Sequence, residues 1–381
     1  MRILTVLGTR PEIIRLSRVI ELLDQHASHV LVHTGQNRHA RLSDLFFQEL
    51  GVRTPDIHLG VEASGFGAQA GQILARIEPA IERTQPDRLL ILGDTNSGLT
   101  ALVARRHGIP VYHMEAGNRC FDDRVPEEIN RRIIDHSSTV LLPYTNRSRE
   151  NLLAEGIAGH RILVTGNPIG EVIERFAPQI GASSVLRDLG LEEGRFFLVT
   201  IHRAENVDHE GRLRSLVEAL AGLADRYGFP VIGSLHPRTE NRAGAAGVSL
   251  DRAGLRFLPP LGFFDFLRLE RSAFCILTDS GTVQEEACLL GAPNVTVRET
   301  TERPETLECG SNILAGTDPD SILNAVAFVT ARRGVWTPPE EYARKGVAET
   351  VCRILLGHRI PDEGERERRT RLERSECASV S

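Results

Sequence analysis

Three carboxylates stand where apolar segments give way to polar ones: Asp94 in Leu92-Gly93-Asp94-Thr95-Asn96, Glu115 in Met114-Glu115-Ala116-Gly117, and Glu127 in the proline-started Pro126-Glu127-Glu128-Ile129-Asn130-Arg131. Each has a bland reading. Asp is more often the N-cap of a following helix than a catalytic group, and an acidic first turn is ordinary helix-dipole chemistry. Glu115 is harder to explain by capping, because it terminates a buried strand. Together the three place acids at one edge of one sheet, where like charges raise each other's pKa and permit proton transfer near neutrality.

Other residues are suited to holding an anion. Gly8-Thr9-Arg10-Pro11-Glu12 follows the first apolar run; Gly allows a tight turn, Pro11 suits the first helical position, and free N–H groups with Arg10 beside them can hold a phosphate. A plain structural turn explains the same residues equally well. In Thr278-Asp279-Ser280-Gly281-Thr282-Val283-Gln284-Glu285-Glu286 the small residues let a helix start approach a diphosphate, and Glu286, about two turns in, can take two ribose hydroxyls. This is the most specific signal in the chain, since Asp279 or Ser280 alone would suffice for capping. His202 in Thr200-Ile201-His202-Arg203-Ala204-Glu205-Asn206 can orient a phosphate or carry a proton, or be only a hydrogen-bonded loop residue. The run from Arg298 to Glu305 adds arginines, or is a solvated charge run. Asp318-Pro319-Asp320 reads as a turn with a cap, and no metal site is expected.

The elements that must position these residues alternate throughout. Apolar runs at Ile3 to Leu7, Val30 to His33, Leu89 to Leu92, Val111 to Met114, Val140 to Pro143 and Ile162 to Val164 are separated by amphipathic stretches. The rhythm restarts at Phe196 to Thr200 and continues through Pro230 to Ile232, Leu255 to Leu258, Phe274 to Thr278 and Asn294 to Val297. Continuous apolar strands between helices predict parallel sheets covered on both faces, hence an α/β chain of two doubly wound, Rossmann-like domains joined near 165–170. Such sheets bind ligands beyond the C-terminal ends of their strands, and two facing domains make a cleft there.

The 381 residues suit two domains. A formal charge of −6 gives no support for a nucleic-acid partner. Lys345 is the single lysine, so Arg at a site where another protein has Lys reflects a chain-wide bias. Six cysteines without CxxC or zinc spacing predict a reduced, cytoplasmic, metal-free protein. The N-terminal strand leaves no room for a signal peptide, and no apolar run approaches the roughly 18 residues of a membrane span.

Collectively the motifs resemble the non-hydrolysing UDP-N-acetylglucosamine 2-epimerases. Gly-Thr-Arg-Pro-Glu at 8–12, Gly-Asp-Thr at 93–95, Glu-Ala-Gly at 115–117, Pro-Glu-Glu-x-Asn-Arg at 126–131, His-Arg-x-Glu-Asn at 202–206, Asp-Ser-Gly-x-x-Gln-Glu-Glu at 279–286 and Thr-Thr-Glu-Arg-Pro-Glu at 300–305 occur in the family's order. The resemblance implies a GT-B-like fold: a first domain over 1–168 with the carboxylates, a UDP-binding domain over 169–339, a helix over 340–358 crossing back to the first, and a polar, disordered tail over 359–381. It implies a homodimer, no cofactor, Asp94, Glu115, Glu127 and His202 as the catalytic set, and substrate contacts from Arg10, Arg15, Arg203, His236, Ser280, Gly281, Thr282, Glu286 and Arg303. Departures are Arg15 for Lys, Thr282 for a second Gly, and Asn37 with Ala63-Ser64 where bacterial members bind an activating second substrate.

The implied reaction interconverts UDP-GlcNAc and UDP-ManNAc. Its C2 proton is not acidic, so without a redox cofactor C1 must first become electron-poor by loss of UDP; a 2-acetamidoglucal forms, and UDP returns after reprotonation from the other face. A hydrolysing epimerase, a GT-B glycosyltransferase and a non-catalytic UDP-sugar sensor are the alternatives.

Overall fold

The computed structural model describes residues 1–36, 40–63, 65–234, 237–332 and 334–357. The first half forms β1 (Arg2–Leu7), β2 (Ser28–His33), β3 (Ile57–His58), β4 (Arg88–Leu92), β5 (Val111–Met114) and β6 (Val140–Leu142). The second forms β7 (Phe197–Thr200), β8 (Val231–Ser234), β9 (Leu255–Leu258), β10 (Cys275–Thr278), β11 (Asn294–Thr296) and β12 (Asn312–Leu314). Each set makes one six-stranded sheet, in the orders β3-β2-β1-β4-β5-β6 and β12-β11-β10-β7-β8-β9. Every pairing is parallel. In both sheets the order reverses beside the first strand, which opens the loops after β1 and β4, and after β7 and β10, onto one crevice.

The continuous apolar runs follow from burial on two faces. Ile3 and Leu7 of β1 join a core with Leu90, Leu92 and Tyr112, whereas Leu4 and Val6 join the opposite core with Leu89, Ile91 and Val111. Phe197 and Val199 of β7 likewise face away from Phe196 and Leu198. The helix Arg10–His26 lays Ile13, Leu16, Val19, Ile20 and Leu23 on the first core at helical spacing.

Two expectations need correcting. Ile162–Val164 is not a strand of the sheet; it runs beside β6 with one bridge, Ile162 to Leu141, and the N–H groups of Leu163 and Thr165 donate to the backbone oxygens of Leu141 at 2.9 Å and Pro143 at 3.0 Å. The short edge strands β3 and β12 carried too little apolar length to be read as strands. The crossing-back helix begins at Val347, because the chain before it is a turn region that ends at Gly346 with φ 69°. Its Ala348, Val351, Cys352 and Leu355 pack into the first core beside Ile13 and Val19. The predicted tail over 359–381 lies outside the described residues. No helix among those described is long and apolar enough to cross a membrane.

Candidate active site

The first loop fills its own anion site. The N–H groups of Gly8 and Thr9 both donate to Glu12 Oε2 at 2.7 Å, and Thr95 Oγ1 donates to Glu12 Oε1 at 2.8 Å. Thr9 and Glu12 form a capping box, so these amides, expected to hold a phosphate, are taken by the protein's own carboxylate. Burial raises Glu12 to about 7 against those hydrogen bonds. Arg10 remains, stacked over Phe46 at 5.7 Å and without a carboxylate partner among the described residues.

The second-sheet helix does present an open N-terminus. Ser280 caps Gly281–Leu290 without a side-chain hydrogen bond, leaving first-turn N–H groups for an anion. Asp279 is not in competition: it is buried and accepts from the N–H groups of His202 and Arg203 and from Asn206 Nδ2. A Cβ on Gly281 would stand 2.5 Å from Glu302 Oε1, so a larger residue there displaces the carboxylate oxygen that Arg203 holds at 3.1 Å. Thr282, by contrast, lies inside the helix. Its φ is not positive, so the backbone at Thr282 does not call for glycine.

The three carboxylates do come together, on unequal terms. Asp94 is half-buried; Arg131 Nε donates to its Oδ2 at 2.8 Å, and Asn130 Nδ2 holds its backbone oxygen at 3.0 Å. Burial pushes Asp94 above its ordinary value, with Glu127 and Glu115 adding to the rise and Arg131 opposing it. Glu127 faces Arg203 across the crevice at 3.3 Å. Burial alone would raise it, but Arg203, with its own N–H and Arg131, holds it below the usual range. Glu128, next in the helix, is wholly buried and structural, accepting from the N–H groups of Cys120 and Phe121 and from Arg131.

Glu115 occupies the left-handed region with φ 64°, a strained conformation for this residue type. Arg15 Nη1 donates to its Oε2 at 2.6 Å and Arg303 Nη2 to its Oε1 at 2.5 Å. The same two arginines also meet at Glu285, Arg15 through Nη2 and Arg303 through Nε. A buried ring of two arginines and two glutamates therefore spans the sheets. Against the cost of burial, Arg15 and Arg303 hold Glu115 below its ordinary value. The expected mutual raising of three carboxylates is thus realised at Asp94 alone, because Glu115 and Glu127 each face guanidinium groups.

His202 Nδ1 lies 3.4 Å from Asp279 Oδ1. Burial lowers its pKa, with Arg203 and Arg10 adding to that against Asp279, so at neutral pH it is an uncharged hydrogen-bonding group. Glu286 lies next to the ring and opposite Glu270; burial, with Arg15 opposing, raises it to about 8, and Glu270 is raised well above its ordinary value by burial and by Glu286. His236, Asn37 and Ser64 lie outside the described residues. Asp318 accepts from the N–H of Ser321 at 2.9 Å, as a cap does.

Sequence reasoning overlooked Glu285, Arg131 and Glu302. Glu302 is buried between Arg298 at 2.8 Å and Arg203 at 3.1 Å. All three lay inside quoted motifs, but nothing in their spacing announces which guanidinium each meets. The Thr9-x-x-Glu12 capping box was a readable signal for Glu12.

A profile of the UDP-N-acetylglucosamine 2-epimerase family matches residues 21–356. A UDP-N-acetylglucosamine 2-epimerase from Methanocaldococcus jannaschii is 37% identical over 93% of this chain and 99% of its own. Its crystal structure in complex with UDP-GlcNAc and UDP superposes with a TM-score of 0.89. The UDP-N-acetylglucosamine 2-epimerase structure from Rickettsia bellii is 40% identical, with a TM-score of 0.88 over 94% of this chain and 96% of its own. A UDP-2,3-diacetamido-2,3-dideoxy-D-glucuronate 2-epimerase from Pseudomonas aeruginosa is 38% identical over 85% of this chain and 91% of its own. With the two facing sheets, the carboxylates between them and matches over nearly its whole length, the chain belongs to the UDP-N-acetylglucosamine 2-epimerase family.

Proposed function

We propose that the protein interconverts UDP-GlcNAc and UDP-ManNAc without hydrolysis, NAD or metal, in a cytoplasmic homodimer. The observation that carries this reading is the placement of Asp94 and Glu127 in different charge environments, Asp94 held by Arg131 and Glu127 facing Arg203 of the second half. The diphosphate lies against the Ser280, Gly281 and Thr282 amides with Arg10 opposite, and Glu286 takes the ribose. Loss of UDP leaves positive charge at C1; Glu127, held ionised by Arg203, removes the C2 proton, and the glycal forms. Asp94, whose pKa is raised, carries the proton returned to the other face, since environments that push two acids apart assign base and acid. Neutral His202 donates a hydrogen bond to the leaving diphosphate. Glu115 acts through charge, fixing Arg15 and Arg303 beside the departing oxygen.

Ile129 and Ile133, exposed one turn apart on the helix Pro126–Ser137, and exposed Leu102 support an interface between two copies. The test of the reaction is proton NMR of UDP-GlcNAc with the purified protein, without added NAD or metal. UDP-ManNAc is the expected product, and free ManNAc as the main product would favour a hydrolysing enzyme. Turnover of UDP-2,3-diacetamido-2,3-dideoxy-D-glucuronate in place of UDP-GlcNAc would move the substrate but not the reaction.

A further inference from the structure

Two cysteines stand behind the charge ring. Cys288 is on the helix Gly281–Leu290, three residues after Glu285 and two after Glu286. Cys309 directly follows the helix Pro304–Glu308, whose N-cap is Arg303. Their Sγ atoms are 3.8 Å apart. Asn312 Nδ2 ties the two helices at the same place, donating to Gln284 Oε1 at 3.3 Å and Thr306 Oγ1 at 3.2 Å. Cys288 is buried, whereas Cys309 is half-buried and lines a cavity of about 390 Å³ with Thr145, Arg147, Glu150, Glu305 and Glu308, which gives a small oxidant a route to it.

We propose that Cys288 and Cys309 are a redox site, closing to a reversible disulfide under a hydroperoxide and so disabling the nucleotide side of the cleft. The Cys288 thiol, as a hydrogen-bond donor, lowers Cys309 to about 6 against burial, with Ser311 helping. Cys288 is driven the other way by the same contact and by burial. Cys309 is therefore the attacking thiolate and Cys288 the resolving thiol. The Cys309 sulfur attacks one peroxide oxygen, the O–O bond breaks, and hydroxide leaves, giving a sulfenic acid. The Cys288 sulfur then attacks that sulfur; the S–S bond forms, the S–O bond breaks, and the hydroxyl departs with the Cys288 proton as water. Two thiols and one hydrogen peroxide thus give one disulfide and two waters, and a dithiol reverses the oxidation by exchange.

Closing the sulfurs from 3.8 Å to the bond length of about 2.05 Å moves the two helices that aim Glu285 and Arg303. Misplacement by about 1 Å costs a catalytic site on the order of 10²-fold. The single tryptophan reports the event, because Trp336 Nε1 donates to the Cys288 backbone oxygen at 3.0 Å.

The effect on turnover rests on the epimerase reading; the cross-link does not. The test treats the full chain with hydrogen peroxide, blocks remaining thiols, and maps peptides by mass without reductant. A Cys288 peptide joined to a Cys309 peptide, two hydrogens lighter, is expected, with quenched Trp336 fluorescence, turnover down at least tenfold, and recovery on dithiothreitol. Cys309→Ser keeps its activity in peroxide, and Cys288→Ala accumulates a sulfenic acid at Cys309 that dimedone traps. The proposal is overturned by absence of the joined peptide in the wild-type chain, by a joined peptide with unchanged turnover, by equal peroxide sensitivity of Cys309→Ser, or by no trapped sulfenic acid in Cys288→Ala.

Discussion

Arg15 and Arg303 come from different halves of the chain and grip opposite oxygens of one carboxylate, Glu115, at 2.6 and 2.5 Å. Both also reach Glu285, so each arginine bridges the same two acids. Four buried charges cancel in pairs, and removing any one leaves an uncompensated charge in a poorly solvated place. The ring fixes how the loop after β5 faces the helix after β10, which is the relationship on which the proposed chemistry depends.

Arg15→Met removes one member of that ring and is expected to cost about 3–5 kcal/mol of stability, the usual penalty for breaking a buried pair. Arg15→Lys keeps the charge but a point cation does not fork between two carboxylates; losing one charged hydrogen bond is worth about 1.5–3 kcal/mol. Urea unfolding midpoints measure both. An unchanged midpoint for Arg15→Lys would show that the second contact is energetically idle.

Asp94→Asn and Glu127→Gln are each expected to lower kcat by about 10²-fold or more, the worth of a general acid or base, with UDP affinity largely retained. Ser280→Ala and Glu286→Ala are expected to weaken UDP binding instead. Calorimetric titration with UDP beside steady-state kinetics separates the two classes; carboxylate variants that lose UDP affinity but keep kcat would contradict the roles proposed.

Stability is expected to decline as pH rises from about 5 to 8.5. Glu286 holds its proton up to about 8 and Glu12 up to about 7 in the folded protein, whereas in the unfolded chain both release it near 4.3. The folded state therefore binds more protons across this window, and the contribution present below the unfolded value is lost as pH passes the folded one. Glu270, which burial also raises well above its ordinary value, adds to the same fall, so Glu270→Gln is expected to flatten the profile. Thermal melts at a series of pH values decide; a steeper fall in Glu270→Gln contradicts the assignment.

Leu355, fully buried against the first core, tests the crossing helix. Leu355→Ala is expected to destabilise by about 2–5 kcal/mol, the range for deleting a buried leucine side chain. A thermal midpoint unchanged from wild type would mean that Val347–Gly357 contributes little to that core.

Much of this architecture was legible because parallel strands buried on both faces leave unbroken apolar runs, as in Leu89 to Leu92 and Cys275 to Leu277. The edge strand Asn312–Leu314 was missed because an edge needs less apolar length, and Ile162–Val164 misled because an extended loop lying along β6 carries the same kind of apolar run. The carboxylates at strand ends were visible by position, since a Glu closing a strand has few structural excuses. Their charge states were not. Those depend on Arg203 meeting Glu127 and Arg303 meeting Glu115 across the cleft, contacts between residues far apart in the chain that no local spacing encodes.

Removal and replacement of the C2 proton of a UDP-N-acetylhexosamine is the step on which the proposed reaction turns, and proton NMR in D2O reads it directly. UDP-GlcNAc and UDP-ManNAc are expected to equilibrate with deuterium appearing at C2 of the product at the rate of epimerisation. Epimerisation that keeps protium at C2 would contradict it.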